Sequence, residues 1–221
     1  MKTLIIAAIA AASFGAAAQA STVNLVDNGS FEDTPDFNGS WRVFQGTELS
    51  GWEVQSGAGV EIQTNSVGGV LDTLWGTKYV ELDSHNGNGG ASTGSSNSVI
   101  GQDIFLSAGN YLLSFFYSPR VNSIGTDTNG IDYSIAGVSG SASGPNDDFS
   151  FGEWTLIEET VKIDVGGTYE LLFAATGGDE TLGGLIDNVS LTAVPLPAGG
   201  LLLLSGLAGA AGLLRRKKRA A

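Results

Sequence analysis

Between residues 22 and 192 the chain consists of short runs of alternating apolar and polar residues, separated by stretches rich in Gly, Asn, Ser and Asp. Alternation with a period of two is typical of β-strands, and Gly and Asn clusters mark the turns between them. Two packed antiparallel sheets, as in a sandwich or jelly roll, fit such a series of short strands. The pattern predicts an all-β jelly-roll β-sandwich with strands at 22–27, 51–56, 59–64, 78–83, 98–106, 110–118, 131–138, 153–164, 168–175 and 184–192.

The most apolar run, residues 111–117, predicts a strand in the interior of a sheet, because both of its faces are rather apolar. Its two faces carry Leu112, Ser114 and Phe116 on one side, and Tyr111, Leu113, Phe115 and Tyr117 on the other. The polar stretches 84–98 and 139–150 are predicted to be long loops.

Composition supports a folded domain with an acidic surface. The chain of 221 residues is 42% hydrophobic, which argues against disorder, and its 33 glycines suit a turn-rich β domain. The formal net charge is −13, and outside the two ends only Arg42, Lys78, Arg120 and Lys162 balance 23 acidic residues. Such a domain repels nucleic acid and anionic lipid, and suits cations or neutral and basic partners. The absence of cysteine excludes thiol catalysis, disulfides and Cys-ligated zinc.

The N-terminal residues 1–20 have the three parts of a secretory signal. Lys2 supplies the positive charge, an apolar run extends from Leu4 to Ala18, and Ala18-Gln19-Ala20 forms an A-x-A site. The run is short for a membrane span, although an N-terminal anchor is the alternative. We expect a signal helix that is cleaved after Ala20, so that the mature chain starts at Ser21.

The C-terminal residues 194–221 also have three parts in a fixed order. They are the motif Val194-Pro195-Leu196-Pro197-Ala198, an uncharged apolar helix at 199–214, and the basic run Arg215-Arg216-Lys217-Lys218-Arg219. Basic residues stay on the cytoplasmic side of a membrane, which places the sandwich outside. The tail resembles the PEP-CTERM sorting signals, in the variant whose motif is Val-Pro-Leu-Pro-Ala. The resemblance implies an exosortase-type processing enzyme as partner, transient anchoring in the inner membrane, and delivery to the envelope, surface or extracellular matrix of a Gram-negative bacterium. A plain single-span anchor is the alternative.

The domain at 21–193 carries a second resemblance, in segments near its start, middle and end. These include Asn24–Glu32, Gly51-Trp52, Tyr79–Asp83, Ala108–Phe115 and Leu185–Leu191. Together they look like the galactose-binding-like jelly rolls, near the DUF642 group and the CBM4/9 type of carbohydrate-binding module. The resemblance implies a carbohydrate-binding jelly roll, and fold is what it supports best.

Strand 184–192 places a carboxylate among apolar residues. A period of two puts Leu185, Asp187, Val189 and Leu191 on one face, so Asp187 is expected to face the core. A buried carboxylate needs a partner, and Ca²⁺ with its oxygen ligands would provide one. Hydrogen bonds from backbone N–H groups, without a metal, are the alternative.

The resembling carbohydrate-binding modules hold a structural calcium between an N-terminal Phe-Glu and a C-terminal Asp. The matching positions are Glu32 and Asp187, with Asp83 or Asp27 and backbone carbonyls to complete the shell. Asn188 departs from the pattern, which often has a second Asp there, and this lowers the charge available to the site.

No residue pattern predicts catalysis. His85 is the only histidine and lies in a polar loop, without a neighbouring nucleophile or a zinc signature. Two carboxylates suffice for glycoside hydrolysis, so an enzyme requires a deep cleft in which two acids converge. The chain is therefore expected to be non-catalytic.

Sugar sites combine aromatic rings that stack on the pyranose with polar groups that bind hydroxyls. Of the four tryptophans, Trp52 and Trp154 are expected in the core, and Trp41 and Trp75 in loops. Arg120 follows the aromatic strand and is expected to point to an exposed face. The leading hypothesis is a surface or matrix protein that binds polysaccharide with Trp41, Trp75 and Arg120. The alternative is a purely structural or adhesive matrix module, which needs no aromatic platform.

Overall fold

The computed structural model describes residues 23–64, 67, 75–85, 96–120 and 128–195. The sandwich belongs to one compact unit, Thr22–Val194. The described residues contain eleven strands: β1 (Trp41–Phe44), β2 (Glu53–Ser56), β3 (Val60–Thr64), β4 (Lys78–Glu81), β5 (Val99–Leu106), β6 (Gly109–Ser118), β7 (Gly130–Ile135), β8 (Val138–Ala142), β9 (Thr155–Ile163), β10 (Gly167–Thr176) and β11 (Leu185–Ala193). This confirms the all-β prediction.

The strands form two sheets, and the pairings within each are antiparallel. The first sheet has the order β1-β3-β4-β11-β6-β9, and the second has the order β2-β5-β10-β7-β8. We call the side of each sheet that faces away from the other sheet its outer face. The architecture is a jelly-roll β-sandwich, as the alternation of residues predicts.

The core lies between the sheets and is rich in aromatic rings. On β6, Phe115 is fully buried, and its ring centroid lies 4.9 Å from that of Tyr133 and 5.0 Å from that of Phe173. Its sequence neighbour Phe116 is half-buried on the opposite side of the strand. Strand β6 pairs with both β11 and β9, so the predicted interior position and face assignment are confirmed.

The predicted helices at 1–20 and 199–214 lie outside the described residues. Among the residues that the structure describes, no helix is long and apolar enough to span a membrane.

The predicted strand at 22–27 is wrong, because the segment follows β11 without forming a regular ladder. The Asn24 side chain accepts from Leu191 N–H (2.9 Å) and donates to Val189 O (3.0 Å), beside one backbone bond from Leu25 N–H to Leu191 O (2.9 Å). Gly29 then passes so close to β11 that a Cβ there would lie 2.0 Å from Val189 O.

The analysis of alternation missed β1 and β8, and both are edge strands. Strand β1 has only four residues, too few to show a period. Trp41 begins this strand, so its predicted position in a loop is wrong. Strand β8 reads Val-Ser-Gly-Ser-Ala, and its inward face has only the small residues Val138, Gly140 and Ala142. All of it but Val138 falls in the predicted loop 139–150. It pairs with β7 through a tight turn in which Ala136 and Gly137 both have positive φ, 50° and 83°.

A β-bulge in β11 overturns the expected orientation of Asp187. The register with β6 shifts between Asp187 and Ser190, where Asn188 has a φ of 50°. A bulge inserts a residue and reverses the faces on either side of it. Leu185 and Asp187 therefore lie on the outer face, whereas Val189 and Leu191 belong to the core. Asp187 is buried at 2% exposure, but not in the inter-sheet core where a period of two predicts it.

Substitution of Asn188 tests the bulge. Because a positive φ disfavours a β-branched residue, Asn188→Val is expected to lower the free energy of unfolding by about 1–2 kcal/mol. Asn188→Gly is the matched control and is expected to leave stability nearly unchanged. Urea unfolding measures both, and equal losses for the two variants would contradict the strained-position interpretation.

Candidate functional site

Cross-strand pairing collects aromatic and ionisable residues on the outer face of the first sheet. Directly opposite residues of an antiparallel pair point to the same side. One row across the strands contains Trp41, Gln63, Tyr79, Asp187 and Phe116, and the next row contains Val43, Glu61, Glu81, Leu185 and Ser118. Five strands thus build a single surface.

One aromatic group lies over the β6 side of this face. The Trp75 ring packs on Phe116 with centroids 3.7 Å apart, and it meets the Trp154 ring edge-on at 6.4 Å. Trp154 also contacts Tyr79, at 5.8 Å. Trp75, Trp154 and Phe116 are each half-buried, so they are held in place and keep some ring surface accessible.

A second aromatic pair lies at the β1 side. The His85 ring stacks on Trp41, with centroids 5.0 Å apart and an interplanar angle of 24°. His85 Nδ1 lies 3.0 Å from Glu61 Oε2, and its Nε2 lies 3.4 Å from Thr181 Oγ1. The lone histidine is therefore part of the outer face and does not stand free in a loop.

A buried polar network occupies the strip between the two aromatic groups. The Gln63 amide nitrogen donates to Glu61 Oε1 (2.8 Å) and also to Glu81 Oε2. Arg120 Nη1 donates to the same Glu81 oxygen, and Gly183 N–H donates to Glu81 Oε1 at 2.5 Å. Glu61, Gln63 and Glu81 are at most 1% exposed. Two carboxylates thus converge here, but both are buried and partnered.

The electrostatic balance of this network is unfavourable to ionised carboxylates. Burial raises the pKa of Glu81 to about 8; the Arg120 guanidinium opposes this rise, and the charge of Glu61 adds to it. A single arginine does not offset the desolvation of Glu81 and its repulsion by a neighbouring acid.

The network also contains one acceptor and one donor that lack a hydrogen-bond partner among the described residues. Within the described part of the chain, Gln63 Oε1 and Arg120 Nε are buried without a hydrogen-bond partner. Both side chains bond to the same Glu81 oxygen, so the two unpartnered atoms belong to neighbouring groups. A hydroxyl group both donates and accepts, and is the kind of group that satisfies such a pair.

The structure brings Trp41, Trp75 and Arg120 to the same face, with both tryptophans half-buried and on opposite sides of the polar strip. The expected exposure of Arg120 is wrong: it is 7% exposed, because its guanidinium turns inward to Glu81. Trp52 lies in the core at 3% exposure, as predicted, whereas Trp154 belongs to the outer face. Sequence analysis also missed Glu61, Gln63, Glu81 and His85. The polar positions of β3 and β4 were their only signal.

Asp83 does not join the predicted calcium site. Its carboxylate is fully buried and accepts the backbone N–H groups of Glu180, Thr181 and Leu182, at 3.0–3.3 Å. Asp187 lies opposite Tyr79 of β4, and Tyr79 is four residues before Asp83. Four residues of extended chain place Asp83 about 13 Å from that position. Asp83 therefore fixes the loop before β11 and not a metal shared with Asp187.

Glu32 and Asp187, in contrast, are close enough to interact. Glu32 Oε1 accepts from Lys78 N–H and Thr77 N–H, each at 2.7 Å, next to the strand position opposite Asp187. Burial raises the pKa of Asp187 to about 8; the Asn188 N–H opposes this rise and the Glu32 charge adds to it. Two neighbouring carboxylates without a basic partner fit a hard cation. Among the described residues, however, no group of three or more acidic or histidine side chains is placed to hold a metal.

Two open grooves lie on the outer face of the second sheet. A groove of about 410 Å³ is lined mainly by serines and small residues of β7 and β8, and by Leu172 and Ala174 of β10. Another, of about 290 Å³, contains Glu53, Asp103 and Glu170, and its only tryptophan, Trp52, is buried. Neither groove combines an accessible tryptophan with polar groups, so the first sheet carries the stronger candidate site.

No family model matches the chain. It is 29% identical over 219 residues to halomucin of Haloquadratum walsbyi, an alignment that covers 90% of this chain and 2% of halomucin. The chain thus spans a very small part of the length of that curated relative.

Similar solved structures include a family 61 carbohydrate-binding module, TmCBM61, in complex with β-1,4-galactotriose. It has a TM-score of 0.48 and 19% identity, and the match covers 78% of this chain and 99% of that module. A family 16 carbohydrate-binding module has a TM-score of 0.45 and 16% identity, covering 76% of this chain and 99% of that one. A family 35 module from Clostridium thermocellum has a TM-score of 0.39 and 14% identity, covering 71% and 100% of the two chains.

Proposed function

We propose that this protein is an exported carbohydrate-binding protein, and that the outer face of the first sheet binds a polysaccharide. The observation that carries the proposal is the arrangement of two half-buried aromatic groups on either side of a polar strip. Aromatic rings provide apolar surface for the C–H face of a pyranose, and the polar groups orient its hydroxyls.

The spacing of the aromatic groups suits an oligosaccharide. Trp41 on β1 and Phe116 on β6 lie in one row, with β3, β4 and β11 between their strands. At the usual spacing of strands the two ends of the row are about 19 Å apart. A single pyranose ring contacts one aromatic group only, so both groups act together on a chain of several sugar units.

The unmet hydrogen bonds of the polar strip also support binding of a hydroxyl-bearing ligand. Gln63 Oε1 lacks a donor and Arg120 Nε lacks an acceptor, among the described residues. A water that enters the strip could donate to the first, accept from the second and bridge them to a sugar hydroxyl. Binding, and not hydrolysis, is proposed because Glu61 and Glu81 are both buried and already bonded to protein groups.

Tryptophan substitutions test this proposal. Trp41→Ala and Trp75→Ala, each in the full chain, are expected to weaken binding to the best ligand of a glycan array by roughly 10- to 100-fold, since each removes a stacking surface. Phe105→Ala is the matched control, because Phe105 is 68% exposed on the outer face of the second sheet, and its loss is expected to change binding little. Calorimetric titration measures all three affinities.

Two results would count against the proposal. Binding that is lost in Phe105→Ala and kept in both tryptophan variants would move the site to the second sheet. A folded protein that binds no glycan in the array would favour the structural or adhesive matrix module instead.

We also propose export and sorting from the two ends of the chain. The positive start, apolar run and A-x-A site at 1–20 support secretion, and the motif at 194–198 with its basic run at 215–219 supports processing by an exosortase-type enzyme. The motif residues Leu196–Ala198 and the basic run lie outside the described residues. Mass spectrometry of the mature protein from separated envelope fractions tests this: an intact chain in the cytosol would contradict it.

We propose, in addition, that Ca²⁺ binds between Glu32 and Asp187. The closeness of two carboxylates, one of them almost fully buried, supports this site. The ion would stabilise the link between the N-terminal segment and β11 and take no part in sugar chemistry.

A further inference from the structure

His85 occupies a position on the outer face that resembles a bound ligand. Its flat ring lies on the Trp41 indole, and its Nδ1 is directed to Glu61 Oε2 at 3.0 Å. The side chain is 26% exposed, whereas the Glu61 side chain beneath it is 1% exposed. The position of His85 therefore accommodates a ring that stacks on Trp41 and brings a nitrogen to the buried carboxyl group of Glu61.

The two buried carboxyl groups beneath His85 are accompanied by only one ion-paired Lys or Arg side chain among the described residues. Glu61 and Glu81 are joined through Gln63, and Arg120 is the one Lys or Arg side chain in the described chain that is ion-paired with either of them. Lys78, the nearest other cation along β4, bonds to Glu32 O and Thr34 Oγ1 instead. A second positive group would therefore lower the electrostatic cost of this pair.

An unpartnered hydrogen-bond acceptor also favours a positive group at this position. Gln63 is fully buried, its amide nitrogen bridges both carboxylates, and its Oε1 has no donor among the described residues. Glu61 Oε2, Gln63 Oε1 and the Trp41 ring together offer two acceptors and a π-face. An ammonium group carries three donors and no acceptor, and it is also attracted to the face of tryptophan.

We infer that the proposed glycan site selects amino sugars: a sugar unit with a protonated primary amine stacks on Trp41 and places its ammonium group beside Glu61, in the position that the His85 imidazole holds in the free protein. This inference rests on the proposed function and adds the class of sugar. Acidic sugars are disfavoured, because a uronate or sulfate group would be brought towards two buried carboxylates in a domain with few basic residues.

The test compares three hexamers that differ only in the group at C2, and adds an acidic hexamer. The full chain, kept in a polyoxyethylene detergent without a sugar headgroup, is titrated calorimetrically at pH 6 and low salt with β-1,4-linked hexamers of glucosamine, N-acetylglucosamine and glucose, and with a galacturonate hexamer. Glucosamine hexamer is expected to bind at least tenfold more tightly than either neutral hexamer. The galacturonate hexamer is expected not to bind measurably.

Variants then locate the selectivity. Glu61→Gln is expected to reduce the preference for the amine to threefold or less while neutral hexamers still bind. Glu158→Gln is the matched control, since Glu158 is an exposed acid of β9 opposite Ser114 on the outer face, and it is expected to keep the preference. His85→Ala is expected to retain the affinity for glucosamine hexamer or increase it, because the ligand takes the place of the imidazole.

The outcomes separate this inference from the proposed function. Equal or tighter binding of a neutral or acidic hexamer overturns the selection of amino sugars and leaves carbohydrate binding intact. Loss of glucosamine binding by tenfold or more in a folded His85→Ala protein overturns the exchange of imidazole for amine. If Glu61→Gln leaves the preference for glucosamine hexamer unchanged, a group other than Glu61 binds the amine, and this also overturns the inference.

Discussion

Replacing Phe115 by Ala is expected to lower the free energy of unfolding by about 3–5 kcal/mol, a large share of the stability of an ordinary domain. Phe115 is fully buried between the sheets, and its ring meets Tyr133 and Phe173 at centroid distances of 4.9 and 5.0 Å. Truncation leaves a cavity in a layer made of large rings, which small movements of the sheets do not fill. Urea unfolding of the full chain, followed by tryptophan fluorescence, measures the loss.

Phe116→Ala is the matched control for this core substitution, since the two residues are neighbours on β6 but face opposite sides. Phe116 is half-buried and stacks on Trp75, so its loss is expected to cost only about 1 kcal/mol and to weaken glycan binding by releasing Trp75. Phe115→Ala, where folded, is expected to bind glycan as the unmodified chain does. A larger stability loss for Phe116→Ala than for Phe115→Ala would contradict the assignment of the two faces.

Without calcium, the protein is expected to become less stable as pH rises from about 4 to 8. Burial raises the pKa of Asp187 to about 8, the Asn188 N–H opposes this and the Glu32 charge adds to it, while an unfolded Asp titrates near 3.9. Between these two values the folded state holds a proton that the unfolded state has released. The stability that the protonated Asp187 contributes is therefore fully present below the pKa of the unfolded Asp, and it is lost as pH rises through the pKa of the folded Asp187.

Asp187→Asn separates this contribution from others. Each unit of pKa shift corresponds to about 1.4 kcal/mol, so Asp187 alone contributes on the order of 5 kcal/mol across the window. Glu81, whose pKa burial also raises to about 8, contributes in the same direction and remains in the variant. Asp187→Asn is thus expected to reduce the slope of stability against pH to about half, and to be more stable than the unmodified chain at pH 8 in a chelator. An unchanged slope would contradict the buried, protonated carboxyl.

Calcium is expected to offset part of the pH effect in the unmodified chain. A cation between Glu32 and Asp187 favours both ionised carboxylates, and a ligand at 100 times its dissociation constant adds about 2.7 kcal/mol of stability. Titration with Ca²⁺ at pH 8 is expected to raise the unfolding midpoint of the unmodified chain but not that of Asp187→Asn. A midpoint that does not rise up to millimolar Ca²⁺ would remove the calcium proposal.

Much of the fold follows from local sequence patterns. Nine of the ten predicted runs coincide with strands of the structure, because alternation in β2 through β7 and β9 through β11 is strong enough to show a face. The segment 22–27 was misassigned because Asn24 uses its side chain where a strand would use its backbone. Strands β1 and β8 were missed because an edge strand needs fewer apolar residues and leaves a weaker period.

The candidate site was predictable only in part. Trp41, Trp75 and Arg120 were identified from residue type, and they do share a face, but the buried position of Arg120 depends on Glu81, a residue far away in sequence. Asp187 was correctly singled out as a buried acid, yet the bulge at Asn188 turns it to the other side of the sheet. A bulge is set by how β11 pairs with β6, and a period of two contains no sign of it.

By itself the sequence determined the class of fold, the place of most strands and which residues of β6 share a face, because side-chain alternation is a local property of an extended chain. It also determined the acidic character that disfavours nucleic acid. Only the tertiary structure decided that Glu61, Gln63, Glu81 and Arg120 meet between two aromatic groups, one of which includes His85. Strand order brings together residues from β1, β3, β4 and the segments after β4 and β6, and no spacing along the chain encodes that order.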